Sequence, residues 1–134
     1  MKTATVIYLG ELRTENTHLR SGNKIITDAP VDNKGKGEAF APTDLVATAL
    51  ADCIITIMGI RAEALGLDLK GTRLEVDKVM NENPRRIKEI IIDIFFPEIE
   101  ISDKNKASLE RIVDHCPVAQ SLHPDVKQNI RIHW

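Results

Sequence analysis

Two cysteines, Cys53 and Cys116, are the residues of this 134-residue chain best equipped for covalent chemistry. A thiolate is a nucleophile and a metal ligand, and a buried neutral thiol is neither, so the surroundings of each decide its use. Cys116 lies in the run His115-Cys116-Pro117-Val118. Pro117 disfavours helical geometry at Cys116 and suits the first position of a new helix, which places Cys116 at the N-cap of a short helix PVAQSL. Unpaired N–H groups and the helix dipole favour a thiolate there, so Cys116 is expected to be reactive. Cys53 sits instead in the apolar run APTDLVATALADCIITIMGI from Ala41 to Ile60. Apolar surroundings disfavour a thiolate unless a cation, such as an arginine, is brought to it. Taken alone, Cys53 reads as core packing, since free cysteine is among the most buried residue types, and Cys116 as the mark of a helix break.

Other chemistries fit these residues less well. Cys53, Cys116, His115 and His123 would make four ligands for zinc, but no CxxC or HxxxH spacing is present and His115 and Cys116 are adjacent. No metal site and no bound cofactor are therefore expected. There is no nucleophile-elbow motif for a serine hydrolase, and GKGE lacks the spacing of a phosphate-binding loop. His18 and His133 read as surface or strand residues.

The elements that must hold the cysteines follow from the pattern of the chain. Residues 1–28 read as an antiparallel meander, with Ala4, Val6 and Tyr8 alternating in its first strand and a turn at Ser21-Gly22-Asn23. Residues 29–41, rich in Gly, Pro, Asn and Lys, read as a mobile loop that carries Glu38. A central helix is expected over 42–66, opened by Pro42 with Thr43 or Asp44 as capping residues and closed by Gly66. At about 100° per residue, Cys53 shares a helix face with Val46, Ala49, Leu50, Ile57 and Ile60. A hairpin over 71–97 turns at NENP, and its second strand, apolar from Ile90 to Phe96 on both faces, is expected to be buried on both sides or at an interface. Residues 102–134 supply a helix capped by Ser102, the short helix after Cys116, and a final strand.

Composition narrows the partners. The formal net charge is −2 and the basic residues are scattered, so nucleic acid is not expected to bind. The apolar run is long enough to raise a membrane reading, but Asp52 near its middle would cost roughly 2.5–3.5 kcal/mol, so no membrane span is expected. With no signal core in MKTATVIYLGEL, the expected location is the cytoplasm, where two cysteines do not form a standing structural disulfide. A helix apolar almost all round is poorly covered by one small domain, and an obligate dimer is expected.

APTDLVATALADC followed by HCPV, with GKGE before the first and a meander at the N-terminus, resembles the OsmC/Ohr family of osmotically inducible and organic hydroperoxide resistance proteins. The resemblance runs over essentially the whole chain. Its most specific element is Pro42 followed eleven residues on by Cys53, with the later Cys116-Pro117. It implies a single α+β domain of OsmC-like fold, antiparallel sheets around a long central helix, in an intertwined homodimer.

It also implies a thiol-dependent peroxidase acting on organic hydroperoxides in protection against oxidative stress, with Cys53 peroxidatic and Cys116 resolving. No cofactor is implied beyond an external dithiol reductant, such as a lipoyl protein. The family's arginine comes from the N-terminal meander, where Arg13 is the better match and Arg20 the second. The peroxidase members carry Glu directly after the helix-opening Pro, whereas this chain has Thr43 followed by Asp44. Glu38 or Asp44 is left to supply the carboxylate. The alternative, in a different class, is a noncatalytic dimeric module that binds a small hydrophobic ligand at its interface.

Overall fold

The computed structural model describes all residues from Met1 to Trp134. It is an α+β fold with two three-stranded sheets and one long helix. By contacts the chain divides into two compact units, Met1–Val46 and Ala47–Trp134.

The N-terminal unit holds the expected meander, β1 (Ala4–Gly10), β2 (Arg13–His18) and β3 (Lys24–Asp28), all antiparallel in the order β1-β2-β3. The turn after β2 is closed by the His18 N–H donating to the Asn23 carbonyl at 2.8 Å. The strand expected from the alternation is β1, and on both its faces Val6, Ile7, Tyr8 and Leu9 are more than half exposed. The loop that follows contains one 3-10 turn, Val31–Asn33. It folds tightly on itself at Gly35, where an added Cβ would lie 1.7 Å from the Ala29 carbonyl oxygen.

α1 (Pro42–Ala64) starts in this unit and runs through the second. Pro42 takes its first position, where a missing N–H costs nothing. Ala41 is the N-cap: its carbonyl accepts the Leu45 N–H, and its own N–H donates to Asp44 Oδ2 at 2.8 Å. That is the returning half of a capping box, formed by Asp44, one of the two expected capping residues. Gly66 ends the helix with φ at +72°, the left-handed conformation that favours glycine.

In the C-terminal unit, β4 (Arg73–Asn81) and β5 (Arg86–Phe95) form the expected hairpin, followed by α2 (Asp103–Ile112), α3 (Pro117–Ser121) and β6 (Lys127–His133). β5 is the middle strand. It pairs antiparallel with β4 and parallel with β6, so this sheet is mixed and not antiparallel throughout as expected.

The core lies between α1, β5 and α2. Leu50, Ile54 and Met58 of α1, Ile90, Ile92 and Ile94 of β5 and Leu109 of α2 are completely buried in one cluster. α1 is long and apolar enough to cross a membrane by length and composition, yet here this stripe packs against a sheet. The face of α1 that is buried is therefore Ala47, Leu50, Ala51, Ile54, Met58 and Ala62. The face expected from Cys53 is only partly covered, with Val46 39% and Ile60 67% exposed.

β5 is likewise buried on one face, not two. Its other face carries Asp93, whose carboxylate accepts from Arg131 Nε and Nη2 at 2.8 and 2.7 Å and pairs with His133 Nε2 at 2.8 Å. His133 and Arg73 pack on the Phe95 ring, each 4.5 Å from its centroid. Charged side chains thus cover the apolar residues of that face with their planes and stems.

Candidate active site

Cys53 stands in the middle of α1, half-buried, and Cys116 is completely buried. The local sequence around Cys116 does what Pro117 dictates. Cys116 has extended backbone angles, φ −64° and ψ 119°, Pro117 opens α3, and Cys116 Sγ accepts the Ala119 N–H at 3.4 Å. Although the two are 63 residues apart in the chain, Cys53 packs against the core cluster that contains Cys116, and its thiol is among the groups that push the Cys116 thiol up. No disulfide joins them.

Burial and this neighbour decide the state of Cys116. Burial, first, and Cys53, second, push its thiol above the usual range, while the N–H groups of Ala119 and Val118 pull less strongly the other way. The N-cap position is as expected from the sequence, while burial works against the thiolate that the helix dipole favours. Desolvation outweighs the dipole of a helix only five residues long.

A second cluster lies within the N-terminal unit. Arg13 Nε and Nη2 donate to the two carboxylate oxygens of Asp28 at 2.7 and 2.8 Å, a bidentate pair between residues directly opposite in β2 and β3. Asp28 is 1% exposed and also accepts the Glu38 N–H at 3.1 Å. The Arg13 hydrogen bonds hold its carboxyl below the usual range, and Asp28 in turn holds Arg13 cationic. Glu38 takes an outer place, its side chain two-thirds exposed and 3.6 Å from Arg13 Nη2. The principal acid on Arg13 is thus Asp28, which the sequence reading does not weigh. The hairpin turn could have found it, because a register with Thr17 opposite Lys24 sets Arg13 opposite Asp28. Asp44 is engaged at the start of α1, and Arg20 lies exposed beyond β2.

The histidines weighed as metal ligands lie apart in role. His115 is exposed, and His123 Nδ1 accepts the Asp125 N–H at 3.0 Å. Chemically, two thiols form a two-electron couple with their disulfide, and an arginine held by a buried carboxylate is a fixed positive charge.

The family model for OsmC-like protein matches residues 35–131, the span that contains both cysteines. The chain belongs to the OsmC-like family. Among solved structures of similar proteins is one from Psychrobacter arcticus 273-4, named for osmotic stress induction and detoxification response. It is 53% identical, with a TM-score of 0.95 over 99% of this OsmC-like chain and 96% of that one. The organic hydroperoxide resistance protein OsmC of Legionella pneumophila is 14% identical, with a TM-score of 0.76 over 100% and 98% of the two chains. A Vibrio cholerae protein named for organic hydroperoxide resistance, with captopril bound in one of its active sites, is 13% identical, with a TM-score of 0.71 over 98% and 92%. At these identities the last two show the OsmC-like fold alone. No curated protein matches the chain.

Proposed function

We propose that this protein is a thiol-dependent peroxidase that reduces organic hydroperoxides, with Cys53 as the peroxidatic and Cys116 as the resolving cysteine. The observation that supports this reading is that two free thiols share one core cluster, Cys116 within it and Cys53 packed against it. In the first step the Cys53 sulfur attacks the terminal oxygen of the hydroperoxide and the O–O bond breaks. The alkoxide leaves with a proton as an alcohol, and Cys53 becomes a sulfenic acid. In the second step Cys116 attacks the Cys53 sulfur. The S–O bond breaks, the hydroxyl leaves with the Cys116 proton as water, and a disulfide remains. An external dithiol, such as a lipoyl protein, then takes up the disulfide by exchange and is itself oxidised.

Arg13 is assigned the role of holding the Cys53 thiolate. Asp28 on β3, which pairs with Arg13, is proposed to take the place of the carboxylate that Thr43 cannot supply, with Glu38 outside it. The working form we propose is a homodimer. The exposed apolar run Val6–Leu9 supports this, because contiguous exposed apolar residues mark a surface that binds another. The reaction needs both thiols reduced between turnovers, and we assign it to the cytoplasm.

The names carried by the Legionella and Vibrio proteins are in keeping with this substrate class. One equivalent of tert-butyl hydroperoxide added to the reduced protein is expected to give one intramolecular Cys53–Cys116 disulfide, read by mass spectrometry of peptides. Thiols left intact, or turnover undiminished in Cys53→Ser, would overturn the proposal.

A further inference from the structure

A cavity of about 260 Å³ in the C-terminal unit is lined by Ile57, Ile60, Arg61, Ala64, Ile112 and His115. Its α1 residues continue the face of Cys53: Ile57, Ile60 and Ala64 follow Cys53 by four, seven and eleven residues, all within about 40° of it around the helix. Its opposite wall ends at His115, the residue before Cys116. The helix face that carries Cys53 therefore runs on into the cavity.

Arg61 is the charged residue of that cavity. It stands eight residues beyond Cys53, roughly 12 Å along the axis. Its Nε donates to Ser108 Oγ at 2.8 Å, and Ser108 is 7% exposed on α2. A hydroxyl fixes the guanidinium without neutralising it, and no carboxylate lines the cavity. The arginine fork pairs with a carboxylate through two parallel hydrogen bonds, and the isoleucine walls suit an alkyl chain.

We propose that Arg61 is a specificity-determining residue that binds the carboxylate of an alkyl hydroperoxide whose chain lies along Ile57 and Ile60. This rests on the peroxidase reading for the reacting end of the molecule, but the carboxylate subsite can be tested without turnover. The probe is decanoate against 1-decanol, titrated calorimetrically into the reduced full-length protein. Decanoate is expected to bind at least about tenfold more tightly. Arg61→Gln removes the difference, Arg61→Lys keeps part of it by keeping the charge, and Ser108→Ala leaves most of it. Equal binding of the two probes, a preference that survives Arg61→Gln, or no decanoate binding because a second copy of the chain covers Ile60 would each overturn the subsite. Decanoate binding through Arg61 in a protein that consumes no hydroperoxide would overturn the peroxidase reading and leave the subsite standing.

Discussion

Arg13 and Asp28 face each other across β2 and β3, joined by two hydrogen bonds of 2.7 and 2.8 Å, and the carboxylate is 1% exposed. The pair fixes both the position and the charge of the arginine. Asp28→Asn keeps the shape but removes the charge, and one of the two parallel acceptors becomes a donor facing the guanidinium. Hydroperoxide turnover is expected to fall about 10²-fold in kcat/KM, the size of effect that misplacing a positioned group produces. Glu38→Gln, at the exposed outer acid, is expected to cost far less. Steady-state kinetics on both variants checks the order.

Acid should act on the same pair. The Asp28 carboxyl titrates below its unfolded value, so its contribution to stability is complete above about pH 4 and is lost as pH falls through the lower folded value. Urea unfolding between pH 7 and pH 3 is expected to show a steeper loss of stability at the acid end for the natural chain than for Asp28→Asn. Parallel pH profiles would remove Asp28 as the cause.

Cys116 should respond at the opposite end of the scale. Its thiol titrates above the usual thiol range, chiefly because it is buried. Between the unfolded value near 8.5 and the higher folded one the unfolded chain binds fewer protons, so stability falls with rising pH over that interval. Cys116→Ala is expected to flatten this alkaline decline. Iodoacetamide labelling of Cys116 in the Cys53→Ser protein is expected to be slow at pH 8 and still accelerating above pH 9.

Separating the two thiols by mutation distinguishes their roles. Cys116→Ser is expected to retain the first oxidation, with a sulfenic acid at Cys53 trapped by dimedone after one equivalent of peroxide. Turnover with a dithiol should then drop by an order of magnitude or more. Cys53→Ser should trap nothing, and Arg13→Ala should slow alkylation of Cys53 near neutral pH.

The core makes a purely structural prediction. Ile92 is completely buried in the middle strand, in the same cluster as Leu50 and Ile54 of α1. Ile92→Ala is expected to cost about 2–5 kcal/mol, measured by urea unfolding, with the spread set by how far the cluster can close over the cavity.

What the sequence made legible was local. Pro42 and Gly66 bracket α1, and Pro117 put Cys116 at an N-cap, because each acts through the backbone of its own neighbours. What it hid depends on partners distant in the chain. The Arg13–Asp28 pair appears only once the hairpin register is set, and the cluster shared by Cys53 and Cys116 only once α1 and the turn before α3 are packed. Periodicity marked α1 as apolar almost all round, which is why it could not choose the buried face. The neighbouring strand chose Leu50, Ile54 and Met58. On β5 the run of isoleucines concealed Asp93, whose bonds to Arg131 and His133 make the second face a charged one.

The parallel pairing of β5 with β6 bears on synthesis. The seven residues Lys127–His133 that seal one edge of β5 come later in the chain than β5 itself and are made after it. Until then an isoleucine-rich strand has its backbone groups open on that side, the arrangement that recruits other chains into aggregates. A premature stop before Lys127 would leave that edge permanently bare. The pairing of β6 is thus the step that closes this edge of the isoleucine-rich strand.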